Sequence, residues 1–245
     1  MKLILSPTKT MTPAHSRAAM PRPTFESAAR ELIRQLSTLD FNGLKALYKA
    51  SDALIQKSRD QIHGFDDAQA GPALFVFRGE AFKTLDAPSL SPEEISFAAA
   101  HVRIFSGLYG ILSPLDAVKP YRLDFNTPLK INDQGMKAFW QERINLYFDQ
   151  LLAPDEPLLN LASQEYASIL QPQTLKGRMI QLQFRERAGE KLKNLSVRAK
   201  QARGAFAGHI IRRGITDPLA LKEEAIDGYG FDPELSTERE WFFIR

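Results

Sequence analysis

An α+β fold is what this sequence predicts. Short apolar or alternating runs with the character of strands interleave with longer segments of helical periodicity, and no regular βαβ rhythm connects them. No internal repeat or low-complexity linker divides the 245 residues, so residues 1–245 read as a single domain. Charged residues make up 25% and apolar residues 44%, a globular balance that argues against disorder. A chain of this length buries roughly 70% of the surface its unfolded form exposes, enough for one sizeable core.

In chain order, Lys2–Ser6 reads as a first strand that stops at Ser6-Pro7. Residues 11–24, rich in Pro, Ala, Arg and Thr, read as a loop, and Ala28, Leu32, Ile33 and Leu36 then fall at helical spacing. One helix fits Phe41–Ile62, with Leu44, Leu47, Tyr48, Ser51, Leu54 and Ile55 along a face. Ala73–Phe77, a short apolar run after Gly71-Pro72, reads as a buried strand. Ser91-Pro92-Glu93-Glu94 is a capping box with proline at the first helical position. The helix it opens sets Ile95, Ala98, Val102 and Phe105 on one side. Leu112–Thr127, with prolines at 114 and 120, reads as loop, and Phe139–Leu152 as an amphipathic helix. Leu158–Leu161 reads as a buried strand; Ile180, Leu182 and Phe184 alternate with polar residues as a half-buried one. Val197–Arg213 reads as a helix and Trp241–Ile244 as a final strand.

The absence of cysteine excludes disulfides, iron–sulfur clusters, thiolate zinc sites and a cysteine nucleophile. No apolar run approaches the ~20 residues of a membrane span, and the apolar start of the chain is too short for a signal-peptide core. The expectation is a soluble, cytoplasmic protein. The four histidines, His15, His63, His101 and His209, are scattered without metal-ligand spacing, so no metal or other cofactor is expected.

The formal charge is only +3, yet Lys176–Arg213 holds eleven cations and two carboxylates, a local +9 that leaves −6 for the rest. Such asymmetry suggests a surface for a polyanion, or a solvated basic face without a partner. Within it, Lys200 and Arg203 share a helical face with Gly204, Ala207 and Ile211, small residues that would let a phosphate backbone approach. Arg185, Arg187, Lys191, Lys193 and Arg198 extend the tract upstream.

Three other constellations could carry chemistry. Phe105–Leu112 holds Gly107 and Gly110 around Tyr109 in the pattern of a helix-hairpin-helix turn, whose amides approach phosphate; a helix stop plus a turn has the same pattern. Ser6-Pro7-Thr8-Lys9-Thr10 follows the first strand and offers either a serine with a lysine base or a polar phosphate contact. Asn160–Tyr166 follows a buried strand and presents Glu165 and Tyr166 as acid–base candidates, or a helix cap at Ser163 with Tyr166 packing inward.

Together these segments resemble the YaaA family of bacterial peroxide-stress proteins over nearly the whole chain. The resemblance runs through residues 6–10, Phe77-Arg78-Gly79-Glu80, residues 106–116, Pro120-Tyr121-Arg122-Leu123, Phe139-Trp140, residues 160–166, residues 200–204 and Gly228-Tyr229. It departs at Ser113, where an arginine is usual, at Thr8, where alanine is usual, and at Gln164, where aspartate is usual. The resemblance implies one α+β domain of unusual topology, with a helix-hairpin-helix-like element and a basic cleft that binds DNA and limits peroxide- and iron-driven damage.

The leading expectation is a non-enzymatic DNA-binding protein, selective for DNA structure more than for sequence. Lys9, Arg122, Arg185, Arg187, Arg198, Lys200 and Arg203 would contact phosphates, and Gly107, Tyr109 and Gly110 would form the hairpin. The alternative is an enzyme acting on a nucleotide or nucleic-acid fragment in a pocket of Ser6, Lys9, Arg122, Glu165 and Tyr166. Direct iron binding is a third idea, raised only by the stress association.

Overall fold

A computed structural model describes residues 1–13, 19–189 and 191–245. The chain runs β1 (Lys2–Leu5), α1 (Glu26–Ser37), α2 (Phe41–Tyr48), α3 (Asp52–His63), β2 (Gly71–Pro72), α4 (Ala73–Val76), α5 (Glu80–Leu85) and α6 (Pro92–His101). It continues through β3 (Val102–Ser106), β4 (Gly110–Leu112), β5 (Ala117–Val118), β6 (Lys130–Ile131), β7 (Gln134–Gly135), α7 (Met136–Leu151), β8 (Pro157–Asn160) and α8 (Gln164–Ala167). The last elements are β9 (Arg178–Ala188), β10 (Lys191–Lys193), α9 (Ser196–Arg213), β11 (Gly230–Asp232) and β12 (Glu240–Ile244).

The main sheet has the order β11-β12-β9-β8-β1-β3-β4, with β10 pairing onto β9. Its five inner strands, β12, β9, β8, β1 and β3, are mutually parallel, while β4, β10 and β11 pair antiparallel. In β1, Leu3 pairs with Val102 on one side and Leu159 on the other, and Leu3, Ile4 and Leu5 are fully buried. Strands covered on both faces read as continuous apolar runs, as β1 and β8 do. β9 lies further out and keeps its alternation, with Ile180, Leu182 and Phe184 buried. The α+β class therefore holds, with a mixed sheet and one continuous hydrophobic core. No helix among the described residues is long and apolar enough to cross a membrane.

Ser91 opens α6 as read: its hydroxyl accepts from the Glu94 amide at 3.2 Å, and the Glu94 carboxylate accepts from the Ser91 amide at 2.7 Å. That helix stops at His101, so Val102 and Phe105 belong to β3. The single helix expected over Phe41–Ile62 is two, because Lys49 takes a left-handed conformation (φ 47°) and turns the chain between α2 and α3. The strand expected at Ala73–Phe77 is instead the helical turn α4. Pro72 at φ −63° leads into it, and the Ala73 and Leu74 amides bond to Asp116 and Pro114 carbonyls. A short apolar run carries no period that separates those two outcomes. Leu112–Thr127 is largely loop, interrupted by β5.

The glycine segment is also corrected. β3 and β4 form a β-hairpin with Phe105 opposite Ile111 and Ser106 opposite Gly110, so no helix-hairpin-helix forms there. Gly110 has φ +70°, and a Cβ on it would lie 2.6 Å from the Trp140 ring. A Cβ on Gly107 would lie 2.1 Å from the Leu123 carbonyl oxygen, and Tyr109 is buried. These glycines admit protein neighbours, where a phosphate was expected.

Candidate functional site

From β1 the chain crosses to β3 on one side, then returns to β8 on the other side. Connections that diverge in this way open a crevice beyond the carboxyl ends of the strands, the usual ligand position in a parallel sheet. Here the crevice is a cleft of about 480 Å³. Its walls are the Ser6–Thr10 loop after β1, the Leu161–Tyr166 segment after β8, the Arg78–Lys83 segment entering α5, and Lys200 and Arg203 of α9.

Two close contacts hold these walls together. A Cβ on Gly79 would lie 2.3 Å from the Thr8 hydroxyl oxygen, so only glycine lets the Arg78–Glu80 turn sit against the β1 loop. A Cβ on Gly204 would lie 1.8 Å from the Ala81 carbonyl oxygen, so α9 packs directly on α5. Gly204, Ala207 and Ile211 are consequently buried, and the small-residue face of α9 serves helix packing where phosphate approach was expected. Lys200 and Arg203 still reach the cleft from the edge of that face.

Hydrogen bonds tie the strand ends to one another. The Ser6 hydroxyl accepts the Ser163 amide at 2.8 Å and lies 3.3 Å from the Ser163 hydroxyl. The Ser163 side chain makes no helix-capping bond. Tyr166 donates its hydroxyl proton to Asp124 at 2.7 Å, and the Lys9 ammonium lies 2.7 Å from the other oxygen of that carboxylate. Burial, reinforced by the Asp124 charge, raises the Tyr166 phenol well above its ordinary range. Tyr166 is therefore a proton donor here, not a base.

The charges divide into paired and unpaired. Lys83 lies 2.8 Å from Glu80, which also accepts from Gln201 at 2.9 Å, and these partners hold the Glu80 carboxyl below its usual range. Glu165 accepts from Asn126 at 3.0 Å. Among the described residues, the side chains of Arg78, Lys200 and Arg203 have no hydrogen-bond or ion-pair partner. Arg203 Nε is buried and unsatisfied. Burial and the nearby Arg185 charge depress the Arg203 guanidinium pKa.

The structure thus brings Ser6, Lys9, Glu165, Tyr166, Lys200 and Arg203 into one cleft. Arg122 lies beside it, lining two smaller grooves that share Lys9 with the cleft. Arg185 is half-buried, donates to the Phe184 carbonyl at 3.0 Å and sits 5.7 Å from the Phe242 ring. Arg187 and Arg198 are exposed, with Arg198 Nε 3.9 Å from Glu186. Gly107, Tyr109 and Gly110 lie in the buried hairpin, outside the cleft lining. Arg78 and Asp124 were not singled out as site residues. Arg78 follows an apolar run and Asp124 lies in a loop, and neither belongs to a spacing that signals a ligand. His101 Nδ1 lies 2.8 Å from the Met1 carbonyl oxygen and its ring stacks on Phe97, while His15 lies outside the described residues. Among the described residues no three His, Asp or Glu side chains gather as a metal site.

The family model for peroxide stress protein YaaA matches residues 1–235. The chain belongs to the YaaA family. It is 40% identical to a UPF0246 protein of Desulforapulum autotrophicum over all of this chain and 99% of that protein. It is 38% identical to one of Acaryochloris marina over the full length of both. A UPF0246 protein of Rickettsia felis is 35% identical over 90% of this chain and 89% of its own length. Of the YaaA-like segments, residues 6–10, 77–80, 160–166 and 200–204 supply most of the cleft lining.

Proposed function

We propose that this YaaA-family chain serves the peroxide-stress response as a DNA-binding protein that holds the phosphate backbone in the groove system meeting at Lys9. The carrying observation is charge. The cleft and its two side grooves are lined by Lys9, Lys57, Arg78, Lys83, Arg122, Lys200 and Arg203, against the carboxylates Glu80, Asp124 and Glu165. Such a path suits a phosphodiester chain, and phosphate contacts carry no base information, so selectivity would follow DNA shape. Arg187 and Arg198 are exposed and lie outside the lining of these grooves. The peroxide role comes from the family.

Titration of duplex, single-stranded, bubble and branched DNA across a salt series tests the reading. Neutralising ~4–6 phosphates gives a log–log slope of about −4 to −5. The double variant Lys200→Ala, Arg203→Ala should flatten that slope and weaken every DNA form alike. An unchanged affinity in the double variant rejects it.

A second reading is favoured by the convergence of Ser6, Lys9, Glu165 and Tyr166 on the same cleft: an enzyme acting on a nucleotide or a nucleic-acid fragment. Product analysis after incubation with mononucleotides and short oligonucleotides, comparing the parent with Tyr166→Phe, separates it from binding alone.

A further inference from the structure

We infer that the cleft holds a phosphomonoester at the end of a nucleic-acid strand, with the chain leading away past Lys9 toward Arg122. The inference rests on the nucleic-acid reading above and deepens it by naming the chemical group that the cleft recognises.

Shape gives the first argument. At about 480 Å³ the cleft has the size of a small-molecule pocket, room for one nucleotide-sized group but not for a duplex. The grooves that continue from it share Lys9 and carry Arg122, a route along which the rest of a strand can leave.

Charge balance gives the second. Lys9 and Lys83 are already compensated by Asp124 and Glu80. Arg78, Lys200 and Arg203 also line the cleft, without an ion-pair partner, and Glu165 is the remaining carboxylate, so five cations face three acids, a net +2. An internal phosphodiester carries one negative charge, whereas a phosphomonoester carries about −1.5 to −2 at neutral pH, with three strong acceptor oxygens. A net charge of +2 matches the monoester better.

Arg203 gives the third. Its Nε is buried without an acceptor, and its guanidinium sits near the like-charged Arg185, so the cleft carries both an unsatisfied donor and a charge repulsion. A guanidinium fork is matched by two phosphate oxygens, and a terminal phosphate offers them free of a second ester link. Ser6, Thr8 and Thr10, which carry hydroxyls, also line the cleft.

The test compares duplexes with a short single-stranded overhang, identical but for the strand end: 5′-phosphate, 3′-phosphate or hydroxyl. AMP and inorganic phosphate are titrated in parallel by thermal shift. The expected result is a preference of at least about tenfold for one phosphorylated end over the hydroxyl end. Arg203→Ala should abolish that preference, and so should Lys200→Ala, an exposed position whose loss leaves folding intact. Equal, salt-sensitive affinity for all three ends overturns this inference and leaves the DNA reading standing. No binding to any oligonucleotide overturns the DNA reading. If AMP or phosphate then still raises the melting temperature through Arg203, the ligand is a free nucleotide and the strand-end assignment falls. A preference that survives both substitutions overturns the placement in this cleft.

Discussion

Lys9 Nζ and Asp124 Oδ2 lie 2.7 Å apart where the cleft meets its two side grooves. The other oxygen of the same carboxylate receives the Tyr166 hydroxyl. One acid thus fixes a cation on the β1 loop and a phenol on α8, and subtracts one positive charge from an otherwise basic path.

Asp124→Asn should separate those roles. The Lys9 side chain is 58% exposed, so losing the ion pair costs less than about 1 kcal/mol, and the amide oxygen can still accept from Tyr166. Removing a negative charge from the groove should at the same time strengthen DNA binding roughly fivefold at low salt. Denaturant melts and DNA titrations on one preparation check both signs.

Gly204→Ala should destabilise the protein by about 3 kcal/mol or more, since the new methyl meets backbone and neither helix can yield without moving the cleft wall. Gly135→Ala, where nothing lies within 4 Å of the added atom, is the control and should change stability by less than about 0.5 kcal/mol. Urea unfolding of the pair provides the comparison.

Gly110→Ala combines a left-handed backbone with a clash against Trp140, whose indole nitrogen also donates to the Gly107 carbonyl at 2.9 Å. A loss of about 2–4 kcal/mol in stability is expected. The salt slope of DNA binding by the folded fraction should not move. A changed slope with unchanged stability would return the hairpin to the phosphate contacts.

Asp116 makes stability pH-dependent in an unusual direction. Burial, opposed by a bond from the Ser113 amide and by Arg103, pushes its carboxyl up to about 6. The folded state therefore keeps the proton between the unfolded value of 3.8 and about 6, where the unfolded chain has lost it. Its contribution is fully present below the lower value and fades as pH rises through the higher one, by about 1–3 kcal/mol in all. Asp116→Asn, which can still accept from Ser113, should be more stable than the parent at pH 7, and that advantage should vanish near pH 4. Paired melts at the two pH values measure it.

Local signals survived the passage from sequence to structure. The Ser91–Glu94 box and the alternation at Ile180–Phe184 depend on neighbours within a few residues, and both stand as read. Ala73–Phe77 and the break at Lys49 were illegible because long-range packing settles them, not period. The same holds for the site. Residues 6–10, 160–166 and 200–203 each announced themselves as polar groups after a strand or on a basic helix. Their meeting depends on β1 pairing with β8 and on α9 pressing against α5 through Gly204, contacts that no spacing along the chain encodes. Arg78 stood only within the family-like segment Phe77–Glu80 and was not singled out for the site, because its importance comes from the segments that meet it in the cleft.

The central position of β1 has a consequence for how the protein comes into being. Its four residues are synthesised early, yet their partners arrive only with residues 102–106 and 157–160, and the α9 wall later still. Pairings of such sequence separation form slowly, after the intervening chain has been closed into a loop. On the ribosome, β1 therefore waits with both edges open until β3 is made, and with one edge still open until β8 follows. The cleft at its end is among the last features to assemble, and nascent fragments that stop before α9 lack the wall needed to grip a phosphate.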